Sequence, residues 1–69
     1  MMPGQRIYKL LKEAKGEHVP VSHIAAIVKF HLEDVLNLCN RLVKINKVRS
    51  KYQRNGNGYE MHYWVDMKK

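Results

Sequence analysis

The chain has 69 residues, with 13 Lys/Arg against 6 Asp/Glu and a formal net charge of +7 at pH 7. A chain this short buries a modest fraction of its surface and forms one domain, with no room for a second domain or a deep substrate cleft. The single cysteine, Cys39, excludes an intrachain disulfide, so stability must come from packing.

The first predicted element is a helix from about Gln5 to Lys15. Ile7, Leu10, Leu11 and Ala14 recur at i, i+3, i+4 and i+7, one stripe on a 3.6-residue period. Arg6, Lys9, Lys12 and Glu13 lie on the other side. Pro3 and Gly4 precede the helix, and Gly16 stands where a C-terminal cap belongs. After Pro20, Ser22 is the expected N-cap of a second helix through His23-Ile24-Ala25-Ala26-Ile27-Val28. Val19 and Val21 are positioned for a single bridge to a later strand. Lys29, Phe30 and His31 form a short turn. A third helix from about Leu32 to Ile45 follows, with Val35, Leu38, Cys39, Leu42, Val43 and Ile45 on a broad apolar arc and Leu36 at its edge. Glu33, Asn37, Asn40, Arg41 and Lys44 occupy the opposite arc. Asn46 is the expected left-handed terminator.

From Lys47 the period changes to two. The run K-V-R-S-K-Y-Q-R alternates Lys47, Arg49 and Lys51 with Val48, Ser50 and Tyr52, as a half-buried strand does. A second run, Y-E-M-H-Y-W-V, follows Asn55-Gly56-Asn57-Gly58, whose residues tolerate the positive φ of a tight hairpin. Met61, Tyr63 and Val65 share the expected inward face of that strand. Glu60, His62, Trp64 and Asp66 share the other, with Trp64 at an edge, exposed, or folded against the first helix. The expected core is Ile7, Leu10, Leu11, Ile24, Ile27, Val35, Leu38, Leu42 and Val48. One domain spans residues 1–69, ordered from about 5 to 66, and Met67, Lys68 and Lys69 are expected to fray.

The charge is unevenly distributed. Residues 1–40 carry five Lys/Arg against four Asp/Glu, and residues 41–69 carry eight against two. From Arg41 to Arg54 there are six cations and no acid. A one-sided basic field concentrates polyanions at the surface, so this segment points to nucleic acid.

Helix, short bridge, helix, turn, helix and basic hairpin, with the run V-S-H-I-A-A-I-V-K-F-H-L-E-D-V-L-N-L-C-N-R-L-V-K-I-N-K-V and the closing strand M-H-Y-W-V-D, resemble the winged helix-turn-helix family of small bacterial and bacteriophage transcriptional regulators. The resemblance covers about Gln5 to Asp66. It implies an α+β fold of three helices and a two-stranded antiparallel hairpin, the wing. It also implies double-stranded DNA as partner, with the third helix in the major groove and the wing on backbone or minor groove. Asn46 stands where the family commonly has Gly. Glu33 and Asp34 occupy the first turn of the recognition helix, where acids suit the helix end but repel phosphate.

Candidate DNA-binding residues are therefore His31, Asn37, Asn40, Arg41, Lys44, Lys47, Arg49, Lys51, Arg54, Asn55 and Asn57. Asn pairs bidentately with adenine and Arg with guanine, and the Arg and Lys side chains of the hairpin suit phosphate. The other reading of the same residues is a solvated helix face and a hairpin whose lysines only block strand pairing. An alternative function is a protein-interaction adaptor that contacts its partner through Glu33, Asp34, Leu36 or Trp64.

Neither Ser-His-Asp spacing, paired carboxylates nor a phosphate-cradling Gly loop is present, so no enzymatic activity and no cofactor are expected. His18, His23, His31 and His62 are scattered, and Cys39 lies on the apolar arc, so no metal is expected. The start Met-Met-Pro-Gly-Gln-Arg has no apolar run like a signal peptide's, and nothing approaches the roughly 20 apolar residues of a membrane span, which predicts a cytoplasmic protein, monomeric by default.

Overall fold

A computed structural model of the protein describes residues 2–67. The expected fraying of Lys68 and Lys69 lies outside the described residues. Three helices, α1 (Pro3–Glu13), α2 (Val21–Val28) and α3 (Leu32–Lys44), accompany three strands, β1 (Val19–Pro20), β2 (Arg49–Asn55) and β3 (Gly58–Trp64). The fold is α+β, and the sheet is antiparallel in the order β1-β3-β2. The expected two-stranded sheet is corrected by one strand. Val19 pairs with Tyr63 and Pro20 with His62, while Val21 begins α2 and takes no part in the sheet. A proline is tolerated here because β1 is an edge strand, where a missing N–H can face solvent.

Each helix ends for a local reason. Pro3 opens α1 at the first helical position, where its missing N–H is no loss. After α1, Lys15 and Gly16 turn the chain with φ of 54° and 90°. Lys29 closes α2 in the left-handed region, and Asn46 does so after α3 with φ 64°, as its sequence position predicts. Ser22 does not cap α2. Pro20 holds the N-cap position, and Ser22 sits inside the first turn, where its backbone N–H donates to Glu60 Oε1 at 2.9 Å. A carboxylate from β3 thus satisfies a helix-end donor that a local hydroxyl would otherwise have taken.

The core lies between the three helices and one sheet face. Ile7, Leu11, Ile24, Val35, Cys39 and Tyr63 are fully buried, with Val19, Val21, Val28, Val48 and Val65 around them. Leu10, Leu36, Leu38 and Leu42 are half-buried against this cluster. Two expected apolar positions are not covered. Ile27, at 47% exposure, lies roughly a quarter turn off the stripe of Val21, Ile24 and Val28. Ile45, at 60%, follows the last residue of α3, so the helical period no longer directs it inward. Burial pushes the Cys39 thiol up to about 12 and, with Cys39 beside it, raises the Tyr63 hydroxyl to about 12.

Candidate functional site

The hairpin turn is two residues long. Asn55 pairs with Gly58, and the left-handed step falls on Gly56 at φ 66°, the first central position of a hairpin turn that favours Gly there. The turn settles the register of the hairpin, and strand alternation then divides the side chains. Ser50, Tyr52 and Arg54 lie opposite Tyr63, Met61 and Tyr59 on the face that leads into the core. Arg49, Lys51, Gln53 and Asn55 lie opposite Trp64, His62, Glu60 and Gly58 on the other. The hairpin cations are consequently split: Arg49 and Lys51 occupy one face and Arg54 the other.

The face with Arg49 and Lys51 carries a network that the alternation alone does not reveal. Trp64 stacks on His18, with ring centroids 3.6 Å apart and planes 11° from parallel. It is half-buried, not exposed, and packs on His18 in the segment after α1. His18 Nδ1 is 2.7 Å from Gln53 Oε1, which accepts, so the proton is on Nδ1. The buried His62 donates from Nδ1 to the Glu60 carbonyl at 3.0 Å. Asn55 Nδ2 donates to Glu60 Oε2. This Asn55 bond, opposed by partial burial and helped by the Ser22 N–H, holds the Glu60 carboxyl below the usual carboxylate value.

On α3, Glu33, Asn37, Asn40, Arg41 and Lys44 are all exposed along one side, as the sequence predicts. Acids occupy its first turn and Arg41 and Lys44 its last, which suits the partial charges of the helix ends. Asn40 is partly committed, because Tyr63 donates its hydroxyl to Asn40 Oδ1 at 2.8 Å. His31 stands at the N-cap of α3 without a side-chain cap bond, and its carbonyl accepts from the Val35 N–H.

Arg41, Lys44, Lys47, Arg49, Lys51 and Arg54 are all solvent-exposed. Lys47 and Arg49 line a cleft of about 550 Å³ with Val43, Asn46 and Asp66, where the end of α3 meets the base of the hairpin. Within it Arg49 pairs with Asp66 at 3.3 Å; Lys47 Nζ also lies 5.1 Å from the centre of the Tyr8 ring on α1. Asn55 is held by Glu60. Among the described residues, Arg41, Lys44, Lys51 and Arg54 enter no ion pair, and Asn37 and Asn57 no side-chain hydrogen bond. The basic segment runs in sequence from the last turns of α3 past the cleft into the hairpin, where Arg49 and Lys51 lie on one face and Arg54 on the other.

One pair was absent from the sequence-derived site. Tyr52 and Tyr59, 64% and 58% exposed, stack on each other diagonally across the strands, with centroids 5.7 Å apart and planes at 23°. Their spacing becomes meaningful only when Gly56 and Asn57 are known to be the two turn residues. No protein-family model, characterised protein or solved structure matches this chain.

Proposed function

We propose that the chain is a winged helix-turn-helix protein that binds double-stranded DNA and acts as a small transcriptional regulator. In this reading α3 enters the major groove and the β2–β3 hairpin is the wing. The observation that supports it most is the run from Arg41 to Arg54, six cations without an acid, all in solvent and passing from a helix face onto a hairpin. Duplex DNA is a uniform polyanion, and such a strip meets its phosphates without requiring any one base. Asn37 and Arg41 are the side chains assigned to base edges; Lys44, Lys51 and Arg54 are assigned to phosphates. Asn40 is a weaker reader than Asn37, because its carbonyl already accepts from Tyr63.

A protein-interaction adaptor is the other reading, and two of its four contact residues favour it little. Leu36 is half-buried against the core and Trp64 is stacked on His18. Glu33 and Asp34 remain exposed and separate the two functions.

Anisotropy titration of mixed-sequence duplex DNA at two or more salt concentrations tests the proposal. DNA binding requires log K to fall with log salt at about −0.9 per phosphate contacted, and Lys51→Ala or Arg54→Ala should each reduce that slope by about 1. Asn37→Ala or Arg41→Ala should cost about 1–3 kcal/mol on a preferred site and little on random duplex. Glu33→Gln should raise nonspecific affinity by removing repulsion from phosphate. Unchanged affinity and slope in the hairpin variants would transfer the function to the adaptor reading.

A further inference from the structure

Tyr52 and Tyr59 already satisfy the local need of a hairpin for a cross-strand aromatic pair. That role does not account for their exposure, since the stacked Tyr52 and Tyr59 remain 64% and 58% exposed. Arg54, directly opposite Tyr59 on the same face, adds an exposed cation beside the rings. Met61, opposite Tyr52, continues the apolar strip inward to Tyr63, whose hydroxyl reaches α3. This face of the hairpin therefore runs from the buried Tyr63, bonded to α3, to the exposed tip. Two exposed tyrosine rings and Arg54 on one hairpin face, within a strongly basic segment, suit a planar partner that carries negative charge.

We propose that Tyr52, Tyr59 and Arg54 form a stacking platform for unpaired nucleobases, so that the preferred ligand is duplex DNA with an adjoining single-stranded segment. The inference rests on the DNA-binding reading and specifies its substrate class. The base stacks on an outer ring face. A planar group inserted between the tyrosines would need about 7 Å between centroids, twice the usual contact distance of about 3.5 Å, and the rings are 5.7 Å apart. Arg54 takes the phosphate next to the stacked base, while Lys44 and Lys51 remain on the duplex. Stacking of this kind tolerates any base, since every base has a π-face.

The test compares four DNA probes by anisotropy with the full chain: a blunt duplex, the same duplex with a six-nucleotide thymine tail, the duplex with an abasic tail of equal length, and the tail strand alone. The tailed duplex should bind about 5- to 150-fold tighter than the blunt one, the range expected for stacking one base on an aromatic ring. The abasic tail should give little of that gain, because it adds phosphates without π-faces. Tyr52→Ala with Tyr59→Ala should abolish the preference and leave blunt-duplex affinity within about twofold. The matching Phe substitutions, which keep the rings, should retain it. Equal affinity for blunt and tailed duplexes, or for base-bearing and abasic tails, would overturn the platform and leave duplex binding intact. Absence of binding to all four probes would remove both proposals together. A concentration-dependent dimer that dissociates in the double Ala variant would assign the tyrosines to a second copy of the chain, and that too overturns the inference.

Discussion

At one end of the sheet Tyr63 is sealed in the core beside Val48 and Val65, while toward the other end of the same two strands Tyr52 and Tyr59 stand in solvent. Both ends share one unbroken antiparallel register, so the backbone ladder does not distinguish them. What distinguishes them is the neighbouring layer. The inner end is covered by helices and closed by β1, which spans only Val19–Pro20 and reaches no farther than His62 on β3. Beyond that point, β2 and β3 continue with polar, cationic and aromatic side chains. The core therefore takes in the first half of this hairpin and leaves Tyr52, Arg54 and Tyr59 of the second in solvent.

The comparison is tested most severely at its buried end. Leu11→Ala should cost about 2–5 kcal/mol in urea denaturation, because it opens a cavity at a fully buried site. Tyr52→Ala should cost no more than about 0.5–1.5 kcal/mol, the worth of its aromatic pair. Equal costs would show that the outer hairpin is also part of the folding core.

Alkaline pH should weaken the inner end alone. Between pH 9.0 and about 12 the Cys39 thiol ionises in the unfolded chain while burial keeps it protonated in the folded one, and Tyr63 behaves likewise from 10.0 to about 12. The unfolded state then binds fewer protons than the native state, so stability is complete below pH 9 and declines as pH rises through this window. Thermal melts from pH 8 to pH 11 should record a falling Tm.

The turn offers a smaller effect. Gly56→Ala should destabilise by about 1 kcal/mol, for a backbone reason alone: its φ is 66° and nothing lies within 4 Å of the added Cβ. Gly58→Ala, equally uncrowded but without positive φ, should be near neutral. Another small effect is expected at Glu60, whose lowered carboxyl pKa stabilises the fold when the group is ionised. The Tm advantage of the native chain over Glu60→Gln should be present at pH 7 and shrink as pH falls below the ordinary value of 4.5.

Much of this arrangement is legible in the sequence. The stripe of Ile7 and Leu11, the burial of Cys39 and the exposed side of α3 follow from a 3.6-residue period, and the terminator Asn46 from a residue type that tolerates positive φ, both local properties. Ser22 and Ile27 misled because their environments are decided elsewhere in the chain. The donor at Ser22 is claimed by Glu60, 38 residues away, and the cover expected over Ile27 is absent. The third strand was half visible, since Val19 was expected to bridge but Pro20 gave no sign of pairing with His62. At the candidate site, residue types and exposure of the cations were readable. Their division between two hairpin faces also follows from strand alternation, while the β3 residues they stand opposite do not, because that pairing depends on which two of four turn residues lie at the tip.

Glu60 and Gln53 have a mechanical consequence. Gln53 is tied to His18, and Glu60 links Asn55 on β2 to the first turn of α2. All of these ties are on one face of the hairpin, as struts under a shelf, while Tyr52, Arg54 and Tyr59 occupy the unencumbered upper side. A ligand of the class proposed above would meet there a surface braced from beneath by these hydrogen bonds. Little ordering remains to be done on contact, so more of each contact's energy is retained as affinity.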